Sequence, residues 1–189
     1  MLRHIPNILC IGRIFLVLPI LMLMLKGEYI WAFVIFGIAG ITDGLDGLLA
    51  RRFNWRSQLG AILDPIADKF LIVSVFLVLA ATGLVPVWLA ILVIGRDVLI
   101  ITGVVCYRTL VGNVMVDASL MSKLNTAMQL SFVMVVLANV GFGSPRELWV
   151  TFLGAIVMAT TLISGLDYMR VGFMRFLYRQ GASNERQRR

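Results

Sequence analysis

The alternation of apolar and polar positions along the chain gives six long apolar stretches, near 7 to 25, 30 to 51, 59 to 82, 86 to 107, 121 to 140 and 149 to 169. A hydrocarbon core about 30 Å thick takes roughly 20 helical residues to cross, so each stretch has the length of a spanning helix. The breaks between them are short and polar or rich in Gly and Pro: Lys26 to Tyr29, Arg52 to Gln58, Gly83 to Val85, Arg108 to Leu120 and Gly141 to Leu148. Pro86 and Pro145 stand where helices are expected to start. The pattern predicts an all-α integral membrane protein of six transmembrane helices, with a membrane domain over 1–170 and a basic tail over 171–189. The run from Ile8 to Leu25 has no small-x-small cleavage site, so the first helix is expected to be retained.

Composition strengthens this reading. The chain is 60% hydrophobic and 14% charged, with a mean hydropathy of +0.93, whereas an average soluble domain is about one quarter charged. That excludes a soluble enzyme, a DNA-binding module and a disordered regulator. The formal net charge is +7, but six of the 17 basic residues lie in the last 20 positions, which fits a tail held by anionic lipid headgroups rather than a nucleic-acid partner. Cys10 and Cys106 fall in apolar stretches, where a free thiol acts as a small hydrophobe. No disulfide is expected.

Charge also gives an orientation. In a six-span arrangement, twelve of the fourteen basic residues in the loops, the tails and the ends of the spans fall on one side, and only Lys26 and Arg146 on the other. By the positive-inside rule both termini are expected to be cytoplasmic. Arg13, Lys69 and Arg96 lie within spans, where an ionised group needs a partner or water.

Four of the ten acidic residues, Asp43, Asp46, Asp64 and Asp68, fall within 26 positions at the ends of two apolar helices. One Asp at a bilayer centre costs roughly 2.5–3.5 kcal/mol on insertion scales, so four together imply a polar cavity, a counter-ion or both. At about 100° per residue, Asp43, Asp46, Gly47 and Ala50 share one face of the second helix, and Gly60, Asp64 and Asp68 one face of the third. Two carboxylate pairs are thus expected to confront each other across a helical hairpin. A cation would relieve their repulsion, and hard oxygen ligands suit Mg²⁺ or Mn²⁺. Two such ions are suited to phosphoryl chemistry. Gly37 and Gly40 are expected to admit a neighbouring helix, and Gly47 and Gly60 to leave room for a ligand. A transporter would spread its carboxylates through several spans; these cluster beside Arg51 and Arg52, which would repel cations at a pore mouth.

The run DGLDGLLARRFNWRSQLGAILDPIAD from Asp43 fits without a departure the pattern D-x2-D-G-x2-A-R-x8-G-x3-D-x3-D, and so resembles the CDP-alcohol phosphotransferase family. Pro6, Asn7, Arg13 and the six-helix plan extend the resemblance over nearly the whole chain. It implies transfer of a substituted phosphate from a CDP-linked lipid or alcohol to an acceptor hydroxyl, with release of CMP. By this resemblance Asp43, Asp46, Asp64 and Asp68 are metal ligands, and Asp68 is also the general base. Asp46, Gly47, Ala50, Arg51 and Gly60 are CDP-lipid contacts, with Arg51 at the pyrophosphate. The resemblance further implies a homodimer in the inner membrane of a bacterial cell, its site facing the cytoplasm.

VIGRDVLI at 93 to 100 and MSKLNTAMQL at 121 to 130 resemble the members of the family that make cardiolipin. The implied partners are then CDP-diacylglycerol and phosphatidylglycerol, with glycerol 3-phosphate as the alternative acceptor. Members that use glycerol 3-phosphate typically have Arg-Glu in place of Arg96 and Asp97, and a second Lys in place of Asn125. Its phosphate is nearly dianionic, while phosphatidylglycerol is a monoanionic diester, so one fewer cation suits the lipid. Arg96, Lys123 and Arg13 are the candidates for holding the acceptor phosphate. The alternatives are that Arg96 pairs with Asp97 or Asp117 and that Lys123 reaches the interface. His4 reads as interfacial, and the methionines as packing residues.

Overall fold

The computed structural model describes the backbone of residues 5–52, 58–111, 120–143 and 147–187, and the side chains of residue 12 and of 15–42, 67–103, 120–143 and 148–170. The described backbone forms six helices: α1 (Ile5–Leu25), α2 (Tyr29–Arg52), α3 (Gln58–Ala81), α4 (Val87–Val111), α5 (Leu120–Gly141) and α6 (Glu147–Gln187). Each matches one of the apolar stretches, to within a residue or two at most ends. Two differ from expectation at their C-terminal ends: α4 continues to Val111, and α6 passes position 170 unbroken, making it 41 residues long. Hydropathy falls where Arg, Gln and Glu begin, but those residues are good helix formers and no proline intervenes, so the backbone need not stop where the apolar stretch does.

Short connections at one end of the bundle join α1 to α2, α3 to α4 and α5 to α6, the last of them partly outside the described residues. The sequence sets the first two by the same device. Gly27 and Gly83 have φ of 79° and 73°, a region glycine enters without a Cβ clash. At the first, Gly27 N–H donates to the Met24 carbonyl and Glu28 N–H to Leu23, at 3.1 and 2.9 Å. At the second, Gly83 N–H donates to Ala80 and Leu84 N–H to Leu79, at 3.1 and 3.0 Å. Both pairs of bonds satisfy carbonyls that a helix C-terminus leaves open. The Pro86 carbonyl accepts from Leu89 N–H at 3.0 Å, so proline opens α4 as expected.

Helix α3 packs against α1, α4 and α5, and α5 also against α2 and α6. Near the turns the interior is apolar: Val17, Ile20 and Met24 of α1, Val75, Phe76 and Leu79 of α3, and Phe132, Val136 and Leu137 of α5 are all buried. Farther from the turns, Arg96 and Asp97 of α4, Asn125 and Gln129 of α5, and Thr161 and Ser164 of α6 are buried instead. A Cβ on Gly37 would lie 3.4 Å from Met134 Cε, so this glycine does admit a neighbouring helix. At Gly40 a Cβ would meet nothing within 4 Å among the described residues, and the expected close approach is not found there.

The outer surface is the reverse of a soluble protein's. Leu148, Phe15, Leu166 and Trp31 are 80%, 74%, 61% and 60% exposed, while an Arg–Asp pair lies inside. A surface so apolar has lipid as its solvent. Among the described residues two stretches are long and apolar enough to cross a membrane, Leu120–Gly141 and Leu148–Arg170, with shorter apolar stretches at Phe15–Leu25 and Tyr29–Thr42.

Candidate active site

The aspartate motif sits on helical backbone at both ends, as its spacing requires: Asp43, Asp46, Gly47, Ala50 and Arg51 in α2, and Gly60, Asp64 and Asp68 in α3. With 3.6 residues per turn, the spacings of three and four keep each group on one helix face. The side chains of Asp43, Asp46, Ala50, Arg51, Asp64 and Arg13, and the surroundings of Gly47 and Gly60, lie outside the described residues, and with them the expected meeting of the carboxylate pairs. No cluster of His, Cys, Asp and Glu able to hold a metal ion occurs among the described residues. Asp68 is within them, half-buried, directly after the buried Ala67.

One residue beyond Asp68 a polar network begins. Lys69 Nζ on α3 donates to Asp97 Oδ1 on α4 at 2.6 Å, and Arg96 Nη1 donates to the same oxygen at 2.6 Å. The Asp97 and Arg96 side chains are 2% and 4% exposed, that of Lys69 27%. Arg96 Nη2 donates to Ser122 Oγ on α5 at 2.9 Å and to Ser164 Oγ on α6. A single guanidinium thus reaches two other helices besides the carboxylate on its own, which its planar fork of donors allows and a lysine would not. Arg96 forms the Asp97 pair that was the alternative to phosphate binding. Lys123 is exposed on α5.

A second polar group lies next to the first. Asn125, one turn from Ser122 and wholly buried, accepts through Oδ1 from Thr160 Oγ1 and Thr161 Oγ1, both at 2.9 Å. Gln129, one further turn along α5, is also wholly buried, and neither end of its amide has a hydrogen-bond partner among the described residues. Asn125 Nδ2, Arg96 Nε and Asp97 Oδ2 are likewise buried without one. Between helices in lipid, hydrogen bonds of this kind contribute on the order of 0.6 kcal/mol each. Losing one partner of a buried ion pair is far more damaging, about 3–5 kcal/mol, because a charge is left behind.

The link from Lys69 to Asp97 was not anticipated, although hairpin arithmetic signals it. Twelve residues separate Lys69 from the end of α3 at Ala81, and ten separate the start of α4 at Val87 from Asp97, so the two side chains stand nearly level on antiparallel neighbours. Ser122, Ser164, Thr160 and Thr161 carry no such signal, since small hydroxyl residues are common in membrane helices.

Charge within this described group comprises two cations and one carboxylate, an excess of one positive charge beside Asp68. That suits a site for an anionic substrate. The family model for CDP-alcohol phosphatidyltransferase matches residues 3–166. Over 89% of its length the chain is 35% identical to the CMP-forming cardiolipin synthase of Homo sapiens, covering 61% of that protein. It is 32% identical, again over 89% of its length, to a probable phosphatidylglycerophosphate synthase of Mycobacterium tuberculosis, covering 81% of it. A chloroplastic CDP-diacylglycerol–glycerol-3-phosphate 3-phosphatidyltransferase of Oryza sativa is 32% identical over 87% of the chain, with 56% of that protein covered. The chain thus spans less than two thirds of the human and rice proteins. With the aspartate motif on two helices and a match over nearly all of its length, this chain belongs to the CDP-alcohol phosphatidyltransferase family, whose members are transferases for substituted phosphate groups and generally depend on divalent metal.

Proposed function

We propose that the protein transfers the phosphatidyl group of CDP-diacylglycerol to a hydroxyl of phosphatidylglycerol, giving cardiolipin and CMP. The observation that carries the choice of acceptor is the charge beside Asp68: Lys69 and Arg96 share one carboxylate, and Asn125, one turn from Ser122, is neutral and engaged by Thr160 and Thr161. One excess positive charge matches a monoanionic phosphodiester better than a nearly dianionic monoester. Glycerol 3-phosphate is the second reading, supported by the similarity to the mycobacterial and rice proteins.

In this reading the acceptor oxygen attacks the phosphatidyl phosphorus, the bond from that phosphorus to the pyrophosphate bridging oxygen breaks, and CMP leaves with the bond's electrons. Asp68 takes the acceptor's proton, a role for which a carboxylate held beside the hydroxyl suffices although it is a weak base in water. Gly47, Ala50 and Gly60 leave space for the cytidine side, Asp46 contributes there, and Arg51 supplies donors to the pyrophosphate oxygens. The donor set fits a hard divalent cation: Asp43, Asp46, Asp64 and Asp68 would hold two ions, Mg²⁺ or Mn²⁺, which would neutralise charge on the pyrophosphate. Arg96, Lys123 and Arg13 remain the proposed contacts for the acceptor phosphate, Arg96 while it keeps its pair with Asp97.

All six helices cross the membrane in this proposal, with both termini and the active site on the cytoplasmic side of a bacterial inner membrane. Residues 1–170 form the membrane domain, and 171–189 lie along anionic lipid as a basic tail. The working form is a homodimer. Purified protein supplied with CDP-diacylglycerol and either phosphatidylglycerol or glycerol 3-phosphate tests the reaction, with the lipid product identified by mass spectrometry. Cardiolipin as the product supports the first acceptor; phosphatidylglycerophosphate alone would transfer the assignment to the second.

A further inference from the structure

We propose that Asp97 is a positioning residue: acting through Lys69, it holds the Asp68 helix in register with α4, α5 and α6. The proposal rests on the reading of Asp68 as the group that takes the acceptor's proton. Its geometric basis is independent of that reading. One buried oxygen, Asp97 Oδ1, receives Lys69 Nζ from α3 and Arg96 Nη1 from α4, both at 2.6 Å, and the same guanidinium continues to Ser122 on α5 and Ser164 on α6. Four helices meet at one carboxylate and its two cations.

Packing alone holds α3 less firmly along its axis. Its apolar half presents Leu71, Ile72, Val75, Phe76 and Leu79 to the interior, a stripe that interlocks with neighbours but is chemically uniform. In lipid no hydrophobic force drives helices together, so directional polar contacts gain weight in fixing how one helix slides along another. The contact on α3 is Lys69, the residue next to Asp68, and it is the part of the network nearest the proposed base. A displacement of about 1 Å in a reacting group can cost on the order of a hundredfold in rate. Asp97 touches neither phosphate nor acceptor in this account. Its effect on the chemical step passes through α3.

The test is a double-mutant cycle of Lys69→Met and Asp97→Asn in the full-length protein in detergent, reading CMP release. Lys69→Met leaves the neutral Arg96–Asp97 pair intact and is expected to fold. It should lower kcat at least about tenfold while the KM for CDP-diacylglycerol stays within about twofold. Asp97→Asn should lower kcat to a similar extent, and adding it to Lys69→Met should bring little further loss, because both remove one tie. Wild-type kcat in Lys69→Met, multiplying losses in the double variant, or a KM that rises in step with the fall in kcat would each overturn the proposal. Should Asp97→Asn fail to fold, Lys69→Met decides alone, by the split between kcat and KM. Wild-type protein that releases no CMP with either acceptor would instead overturn the transfer reading, and this role with it.

Discussion

The two halves of the bundle share α3 and α5, yet they cohere by different means. Near the short connections, α3, α5 and α1 meet through Phe76, Phe132, Val136, Leu79 and Met24, with the Phe76 and Phe132 rings stacked at 6.1 Å. Toward the other end, α3 to α6 meet through Lys69, Asp97, Arg96, Ser122, Ser164, Asn125, Thr160 and Thr161. Dispersion between apolar side chains is additive and tolerant of exchange. A charge-assisted network depends on every member, because removing one leaves another buried and unpaired. The apolar half is therefore suited to holding the fold, and the polar half to fixing positions within about an ångström. Asp68, the proposed base, lies at the polar end.

The largest effect should come from the carboxylates. Asp43→Asn, Asp46→Asn or Asp64→Asn should abolish CMP release while the protein still inserts and purifies, and EDTA should do the same reversibly. Substantial turnover by any of the three in metal-free buffer would remove the metal reading, and the contrast between the two halves would lose its catalytic side. Asp68→Asn should be milder in one respect: it keeps the shape and one oxygen, so CDP-diacylglycerol binding should persist while single-turnover product formation slows at least about a hundredfold, within the range of general-base catalysis. Loss of binding as complete as loss of turnover would leave Asp68 a ligand without a role as base.

In the apolar half the expected outcome is reversed. Phe76 is wholly buried, and Phe76→Ala should lower stability by about 3–5 kcal/mol, seen as a drop in unfolding temperature or in yield of folded protein. The kcat per folded molecule should be nearly unchanged. A variant that unfolds normally but turns over poorly would show that the two halves are not separable. The smallest effect is expected at Gln129, whose amide is buried and unpartnered among the described residues. An apolar residue of similar shape removes a desolvated group of about 1–3 kcal/mol, so Gln129→Met should leave the unfolding temperature unchanged or raise it by a few degrees. A marked fall would mean that the amide contributes to the network after all.

The glycine turns at Gly27 and Gly83, the proline before α4, the extent of α1, α2, α3 and α5 to within a few residues, and the eight-position aspartate motif on α2 and α3 were all legible in the sequence. Each depends on neighbours along the chain: a helix needs apolar length, a C-terminal cap needs glycine, and residues three or four apart share a helix face. The apolar stretch of α6 was legible too, at Leu148–Arg170, but its helix continues to Gln187, because hydropathy reports where the apolar run ends and the helix does not have to end there. The sequence also left Arg96 with two possible partners and Gly40 with an approaching helix that is not found among the described residues. What only the tertiary structure decided is which buried polar residues meet. Lys69 and Asp97 are 28 positions apart, and Arg96 and Ser164 are 68 apart. Whether such residues bond depends on the relative slide and rotation of whole helices, which a periodic apolar pattern leaves nearly degenerate and the bundle's packing resolves.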